Sequence, residues 1–269
     1  MGRGVTFLVD NGSLEPATTL ALRRIARALT ERLGELVVPV SLLHADAVAR
    51  GDLEGVPAEI FNPALADRLK GGQAEFLVLP LFFGPSRALT AYLPERIAFW
   101  AGQYPALRVR IAAPLFQKND DRLARILADH VRAAAVNCRR VALVDHGSPV
   151  REVTAVRDAL AGQLQALLGP EMRVAACSME RRPGPAYDFN EPLLENLLGQ
   201  PEWCGEVAVA MQFLLPGRHA GPDGDVARIC RQAAVARAGL HTQLTPLVGA
   251  HPLLIDILAD RWRVAAGEG

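Results

Sequence analysis

The chain is 269 residues long, half of them hydrophobic and 22% charged, the make-up of a globular protein with room for two domains of ordinary size. Its 29 basic residues balance its 29 acidic ones, so the charge gives no footprint for nucleic acid or an anionic membrane, and local arginines must meet any polyanionic ligand. The cysteines, Cys138, Cys177, Cys204 and Cys230, form no Cys-x-x-Cys pair, which argues against a zinc ribbon or an iron–sulfur site and leaves free thiols in a reducing cytoplasm as the expectation. No apolar run is long enough to span a bilayer, and residues 5–9 are too short a run for a signal peptide.

The first expected element is a buried strand near 4–9, which ends in Asp10-Asn11-Gly12-Ser13. A helical pattern follows, with Leu22, Ile25, Leu29 and Leu33 recurring at spacings of three and four on one face. Strands near 35–43, 75–83 and 107–113 come next, separated by further helices. Then the pattern starts again. A strand near 140–145 ends in Asp145-His146-Gly147-Ser148, and Val153, Val156, Leu160, Leu164 and Leu167 share a helix face. Strands near 172–178, 206–215 and 240–245 complete the second round. Ser13 and Ser148 read as N-caps, and Pro149 suits a first helical turn.

Two further segments match in the same order. Leu79-Pro80-Leu81-Phe82-Phe83-Gly84-Pro85-Ser86-Arg87-Ala88 sits against Ala210-Met211-Gln212-Phe213-Leu214-Leu215-Pro216-Gly217-Arg218-His219. Ala113-Pro114-Leu115 sits against Thr245-Pro246-Leu247, each followed by Ile-Leu-Ala-Asp. The fold class expected is therefore α/β: two similar doubly wound parallel-sheet domains related by internal duplication, spanning 1–136 and 137–269, with the junction near 135–139.

Three side chains in the second half stand at equivalent strand ends: His146 after one strand, Glu180 after the next, and His219 in the Gly/Pro-rich loop 216–224. Open α/β sheets bind ligands at the carboxyl ends of their strands. Two imidazoles and a carboxylate make a nitrogen/oxygen set suited to a divalent first-row metal. The first half carries Asn11 and Ala88 at the positions of His146 and His219, so it keeps the scaffold without the imidazoles. Asp225 either orients His219 or caps the following helix, and capping is the commoner role for an aspartate there. His251 reads as a histidine at a helix start that bonds backbone, and His44, His130 and His241 as surface or structural.

Asp145-His146-Gly147-Ser148, Met179-Glu180, the 213–219 segment and Pro246-Leu247-Val248-Gly249-Ala250-His251-Pro252 resemble the class II tetrapyrrole chelatases. Sirohydrochlorin cobaltochelatases and ferrochelatases are the group that matches best. The resemblance covers the chain, weakly in the first half, and departs from the family pattern at Met179, Gln212 and Arg218. It implies a lyase that inserts cobalt or iron into sirohydrochlorin or a related tetrapyrrole, in cobalamin or sirohaem synthesis. His146, Glu180 and His219 would be the catalytic and metal residues. The divalent metal would be a substrate, and no organic cofactor is expected.

Sirohydrochlorin carries carboxylates, for which Arg181, Arg182 and Arg218 are candidate partners, with Arg87 a further one. The partners expected are thus the tetrapyrrole and the metal ion, not nucleic acid or membrane; the oligomeric state is not readable. The alternative is a metal or tetrapyrrole carrier of the same fold without catalysis. A periplasmic-type receptor lacks a signal peptide in its favour.

Overall fold

The computed structural model describes residues 4–134 and 138–268. Part of the expected junction, residues 135–137, lies outside the described residues. The first repeat runs β1 (Val5–Asp10), α1 (Pro16–Leu33), β2 (Val37–Ser41), α2 (Phe61–Lys70), β3 (Glu75–Pro80), α3 (Leu93–Gln103), β4 (Arg108–Ile111) and α4 (Arg122–Ala134). The second runs β5 (Arg140–Asp145), α5 (Arg151–Leu168), β6 (Arg173–Ser178), α6 (Leu194–Gly199), β7 (Gly205–Met211), α7 (Asp225–Ala236), β8 (Leu240–Leu244) and α8 (Leu253–Ala266).

The strands form two four-stranded parallel sheets, ordered β2-β1-β3-β4 and β6-β5-β7-β8. This is the doubly wound pair expected from the apolar runs. The central strands β1 and β5 are buried at every residue after the first, because helices cover both faces. In each sheet the chain winds one way from the first strand and then the other way. A crevice therefore opens above the carboxyl ends of β1 and β3, and above those of β5 and β7.

The repeat persists to single residues. Asp10 pairs with Ser41 across β1–β2, as Asp145 pairs with Ser178 across β5–β6. Beyond the strand ends, Leu81 donates to the Val9 carbonyl as Gln212 does to that of Val144. Leu115 donates to the Phe82 carbonyl as Val248 does to that of Phe213. These bonds explain why the expected strands near 75–83 and 206–215 overran the observed ones: the backbone stays tied to the sheet after it has begun to turn.

Neither serine caps a helix. α1 begins at Pro16 and α5 at Arg151, so Ser13 and Ser148 lie too early and instead accept the amides of Glu15 and Val150 at 3.0 Å. Pro149 likewise precedes the first turn of α5. The proline that fills a first turn is Pro16.

One core lies on β1, β2, α2 and β3, where Phe7 stacks on Phe76 at 5.5 Å and meets Phe61 edge-on at 5.9 Å. Another lies on β5, β6, α6 and β7 around the fully buried Trp203.

The last helix of each repeat does not close its own sheet. α4 packs on α5 and β7. α8 closes the first sheet: Trp262 Nε1 donates to Thr6 Oγ1 at 2.9 Å, and Arg261 Nη2 donates to the Leu115 carbonyl at 2.9 Å. Arg110, from β4, donates to the carbonyls of Ala265 and Ala266 at the end of α8. The compact units are thus Met1–Leu115 with Ile255–Gly269, and Phe116–Leu254. This differs from a division at 136/137, because an apolar helix stripe fits either sheet and its spacing does not say which. No described helix is long and apolar enough to cross a membrane.

Candidate metal-handling site

The site is built at the switch point of the second sheet. β5 ends in buried Asp145, whose Oδ1 accepts from the Gly147 amide at 3.0 Å and from Ser178 Oγ at 2.6 Å. Gly147 has φ +88°, and a Cβ there would lie 1.9 Å from the Glu180 carbonyl oxygen. Only glycine lets the two loops come that close. The contact is tied by the Glu180 amide donating to the His146 carbonyl at 3.2 Å. His146 and Glu180 are thereby held side by side, with His146 Nε2 3.6 Å from Glu180 Oε1.

His219 arrives from the loop after β7. Pro216, Gly217, Gly221, Pro222 and Gly224 keep that segment from becoming helical. A Cβ at Gly224 would lie 2.6 Å from the His219 carbonyl oxygen. In the first repeat the corresponding Ala88-Leu89-Thr90-Ala91-Tyr92 has no such residues and forms a π-helical stretch running into α3. That crevice therefore has neither the open loop nor an imidazole.

The two rings meet edge to face, with centroids 4.7 Å apart at 73°. His219 Nδ1 bonds Asp225 Oδ2 at 2.7 Å, and Arg228 Nη2 donates to Asp225 Oδ1 at 2.6 Å. Arg228, and then His219, hold the Asp225 carboxyl below the usual carboxylate range. Asp225 orients His219: the N-cap of α7 is Gly224 and no side chain caps that helix, which overturns the capping role.

A carboxylate only accepts, so His219 carries its proton on Nδ1. His146 Nδ1 lies 3.0 Å from the Gly147 carbonyl, another acceptor, and so carries its proton there too. In its neutral form each ring is left with a lone pair on Nε2. In addition, the His146 lone pair and the Glu180 carboxylate are two acceptors side by side, an arrangement that a cation relieves. Among the described residues no three His, Cys, Asp or Glu side chains are closed around a metal position. The paired imidazoles are preassembled; Glu180, with its side chain 61% exposed, is beside them but not closed over them.

The arginines separate. Arg181 is turned onto its own loop, with Nε donating to Glu191 Oε1 at 2.7 Å and Nη1 3.2 Å from Asp188 Oδ1, so its charge is already matched. Arg182 is exposed, with its guanidinium over the Tyr187 ring. The Arg218 side chain is 80% exposed and only 3.9 Å from Asp225 at its nearest.

His251 behaves as expected at a helix start, its Nδ1 accepting the Leu253 amide at 3.2 Å. His44 and His241 are exposed, and His130 is buried beside His251. The sequence reading missed Arg157 and Asn190, buried beneath the His146 turn. For Arg157 a signal was present: it lies three and seven residues before Leu160 and Leu164, a charge on an apolar stripe.

No family model and no curated protein sequence matches the chain. Solved structures do. SirB from Bacillus subtilis with Fe3+ superposes at a TM-score of 0.72 and 16% identity, over 98% of this chain and 96% of that one. The sirohydrochlorin chelatase SirB from Bacillus subtilis subspecies spizizenii in complex with cobalt gives 0.73 and 16%, over 99% and 96%. CbiX, the terminal enzyme for biosynthesis of sirohaem in denitrifying bacteria, gives 0.61 and 18%, over 98% and 99%. The chain has a class II chelatase-like fold. The match runs over nearly the full length of both chains, so the chelatase-like fold takes in both sheets.

Proposed function

We propose that the protein inserts a divalent metal, cobalt or iron, into sirohydrochlorin or a closely related tetrapyrrole. The observation that carries this reading is the His146–His219 pair. Two imidazoles meet edge to face at a switch-point crevice, each with Nδ1 against an oxygen acceptor, so that the neutral form offers its Nε2 lone pair. The full-length likeness to chelatase structures supports it.

Insertion requires the metal to shed water, and two pyrrole N–H protons to leave as four metal–nitrogen bonds form. The free Nε2 atoms are suited to both tasks: they replace departing water on the incoming ion and accept protons once the ion moves on. Glu180, exposed beside His146, neutralises the charge of the arriving ion and passes protons to solvent. A two-imidazole site with an uncommitted carboxylate holds an ion loosely, whereas a closed cage would keep it. Arg182 and Arg218, neither committed to a close ion pair, are the better candidates for substrate carboxylates; Arg181 would have to leave Glu191 first.

The test is spectral. Purified protein is mixed with sirohydrochlorin and Co2+ or Fe2+, and the absorption change is followed against the uncatalysed rate. Acceleration at turnover supports the chelatase. Binding of metal or tetrapyrrole without acceleration returns the carrier reading, and neither binding nor acceleration overturns both.

A further inference from the structure

Beneath the His146 turn lies a buried chain of polar groups that the insertion chemistry does not consume. Arg157, on α5, is 2% exposed. Its Nη1 donates to Ser178 Oγ at 2.6 Å and to the Asn190 carbonyl at 2.9 Å, and its Nε and Nη2 donate to Asp158 Oδ1 at 2.9 and 2.8 Å. The Ser178 hydroxyl passes the contact on by donating to Asp145 Oδ1. Asn190, also fully buried, accepts the Ser148 amide at 2.9 Å and donates to the Ser148 carbonyl at 2.9 Å, gripping the residue after Gly147 from both sides. Thr154 Oγ1 donates to the same Asn190 Oδ1 at 3.1 Å.

The first repeat supplies the control. Ile25 and Leu29 of α1 correspond to Leu160 and Leu164 of α5, which puts Leu22 at the position of Arg157. The Asp10–Ser41 pair is still there, and Gly12, with φ +85°, makes the same close approach to the Leu43 carbonyl. The turn thus folds without a guanidinium beneath it. Burying an arginine is costly, and replacing a buried ion pair by apolar packing is commonly neutral or stabilising. Leucine is a workable solution at this place in the fold, yet the repeat with the imidazoles keeps arginine.

We infer that Arg157 is a positioning residue: through Ser178–Asp145 on one side and Asn190 on the other, it fixes the His146–Gly147–Ser148 turn and hence the distance of His146 from Glu180 and His219. The consequence for turnover rests on the chelatase reading above; the positioning itself does not.

Arg157→Leu copies the solution of the first repeat, and Arg157→Lys keeps the charge but loses the fork. The reading that does not involve turnover is amide hydrogen exchange. At Gly147, Ser148 and Glu180, exchange is expected to quicken by at least about tenfold in Arg157→Leu, with interior β5 amides such as Leu143 unchanged. Arg157→Lys falls between, and it serves alone if the leucine variant does not fold. In the insertion assay, kcat falls by about 10–100-fold, with KM for sirohydrochlorin within about threefold. Unchanged exchange at those three amides overturns the inference. So does faster exchange with an unchanged kcat. If the wild-type chain inserts no metal, the chelatase reading falls by itself, and the exchange data still decide whether Arg157 positions the turn.

Discussion

His219 Nδ1 donates to Asp225 Oδ2 across 2.7 Å, and this bond leaves Nε2 as the other nitrogen of a ring that packs against His146 at 4.7 Å. Asp225 is in turn fixed by Arg228. Removing such an outer partner typically costs about 10–100-fold in affinity or activity. Asp225→Ala is expected to lower insertion by that factor and to weaken Co2+ binding alongside it. Since Asp225 caps no helix, thermal unfolding should move by only a few degrees. A melting temperature that collapses while activity per folded molecule holds would return Asp225 to a structural role.

The imidazoles themselves should matter more than anything in the first repeat. His146→Ala and His219→Ala are each expected to cost about 10²–10⁴ in kcat, the usual worth of a positioned acid–base group. Both side chains are partly exposed, so the fold should survive, as far-ultraviolet circular dichroism would show. Asn11→Ala, at the matching place in the first repeat, should leave kcat near wild type. The reverse pattern would put the chemistry in the other unit.

The two turn glycines make a matched pair. An added Cβ would lie 1.9 Å from a carbonyl oxygen at Gly147 and 1.8 Å at Gly12, both with positive φ. Each glycine-to-alanine change should destabilise the protein by more than ~1 kcal/mol in denaturant titrations. Gly147→Ala should also abolish insertion by parting His146 from Glu180, while Gly12→Ala retains activity per folded molecule. Equal loss of activity in both would mean that the turns share a purely structural role.

Asp10 should govern part of the pH dependence of stability. Burial pushes its carboxyl up from 3.8 to about 6, against the opposing hydrogen bond from Ser41, and its Oδ1 has no partner. The folded state therefore holds the proton more tightly than the unfolded chain. That contribution is complete below the unfolded value of 3.8 and is lost as pH rises through about 6. Its ceiling is on the order of 3 kcal/mol. Asp10→Asn should thus be more stable than wild type at pH 7.5, with the advantage shrinking toward pH 4. A constant difference across that range would mean that Asp10 does not titrate with folding.

Much of this was legible in the sequence because the relevant signals are local. Apolar runs ending in Asp-x-Gly-Ser announced the strands, the parallel sheets and the duplication. The strand-end positions of His146 and His219 announced that they would meet. Three features were not readable in full, because each depends on how the chain folds back on itself. Arg157 stands out as a charge on an apolar stripe, but what it holds is not readable until Ser178 and Asn190 are seen around it. Asp225 reads as a cap until the loop folds His219 back onto it. The apolar stripes of α4 and α8 carry no mark of which sheet they cover.

The crossing of those two helices has a bearing on synthesis. The unit Phe116–Leu254 is one unbroken stretch of chain, whereas the other unit needs both Met1–Leu115 and Ile255–Gly269. The interior unit is polymerised almost to its end before the helix that carries Trp262 is begun. Of the two units, the one begun first is therefore completed last: β1 waits for the helix that brings Trp262 to Thr6. The half that bears the imidazoles can mature ahead of the half that precedes it, and a stop codon just before Trp262 would damage the unit begun first rather than the interior one.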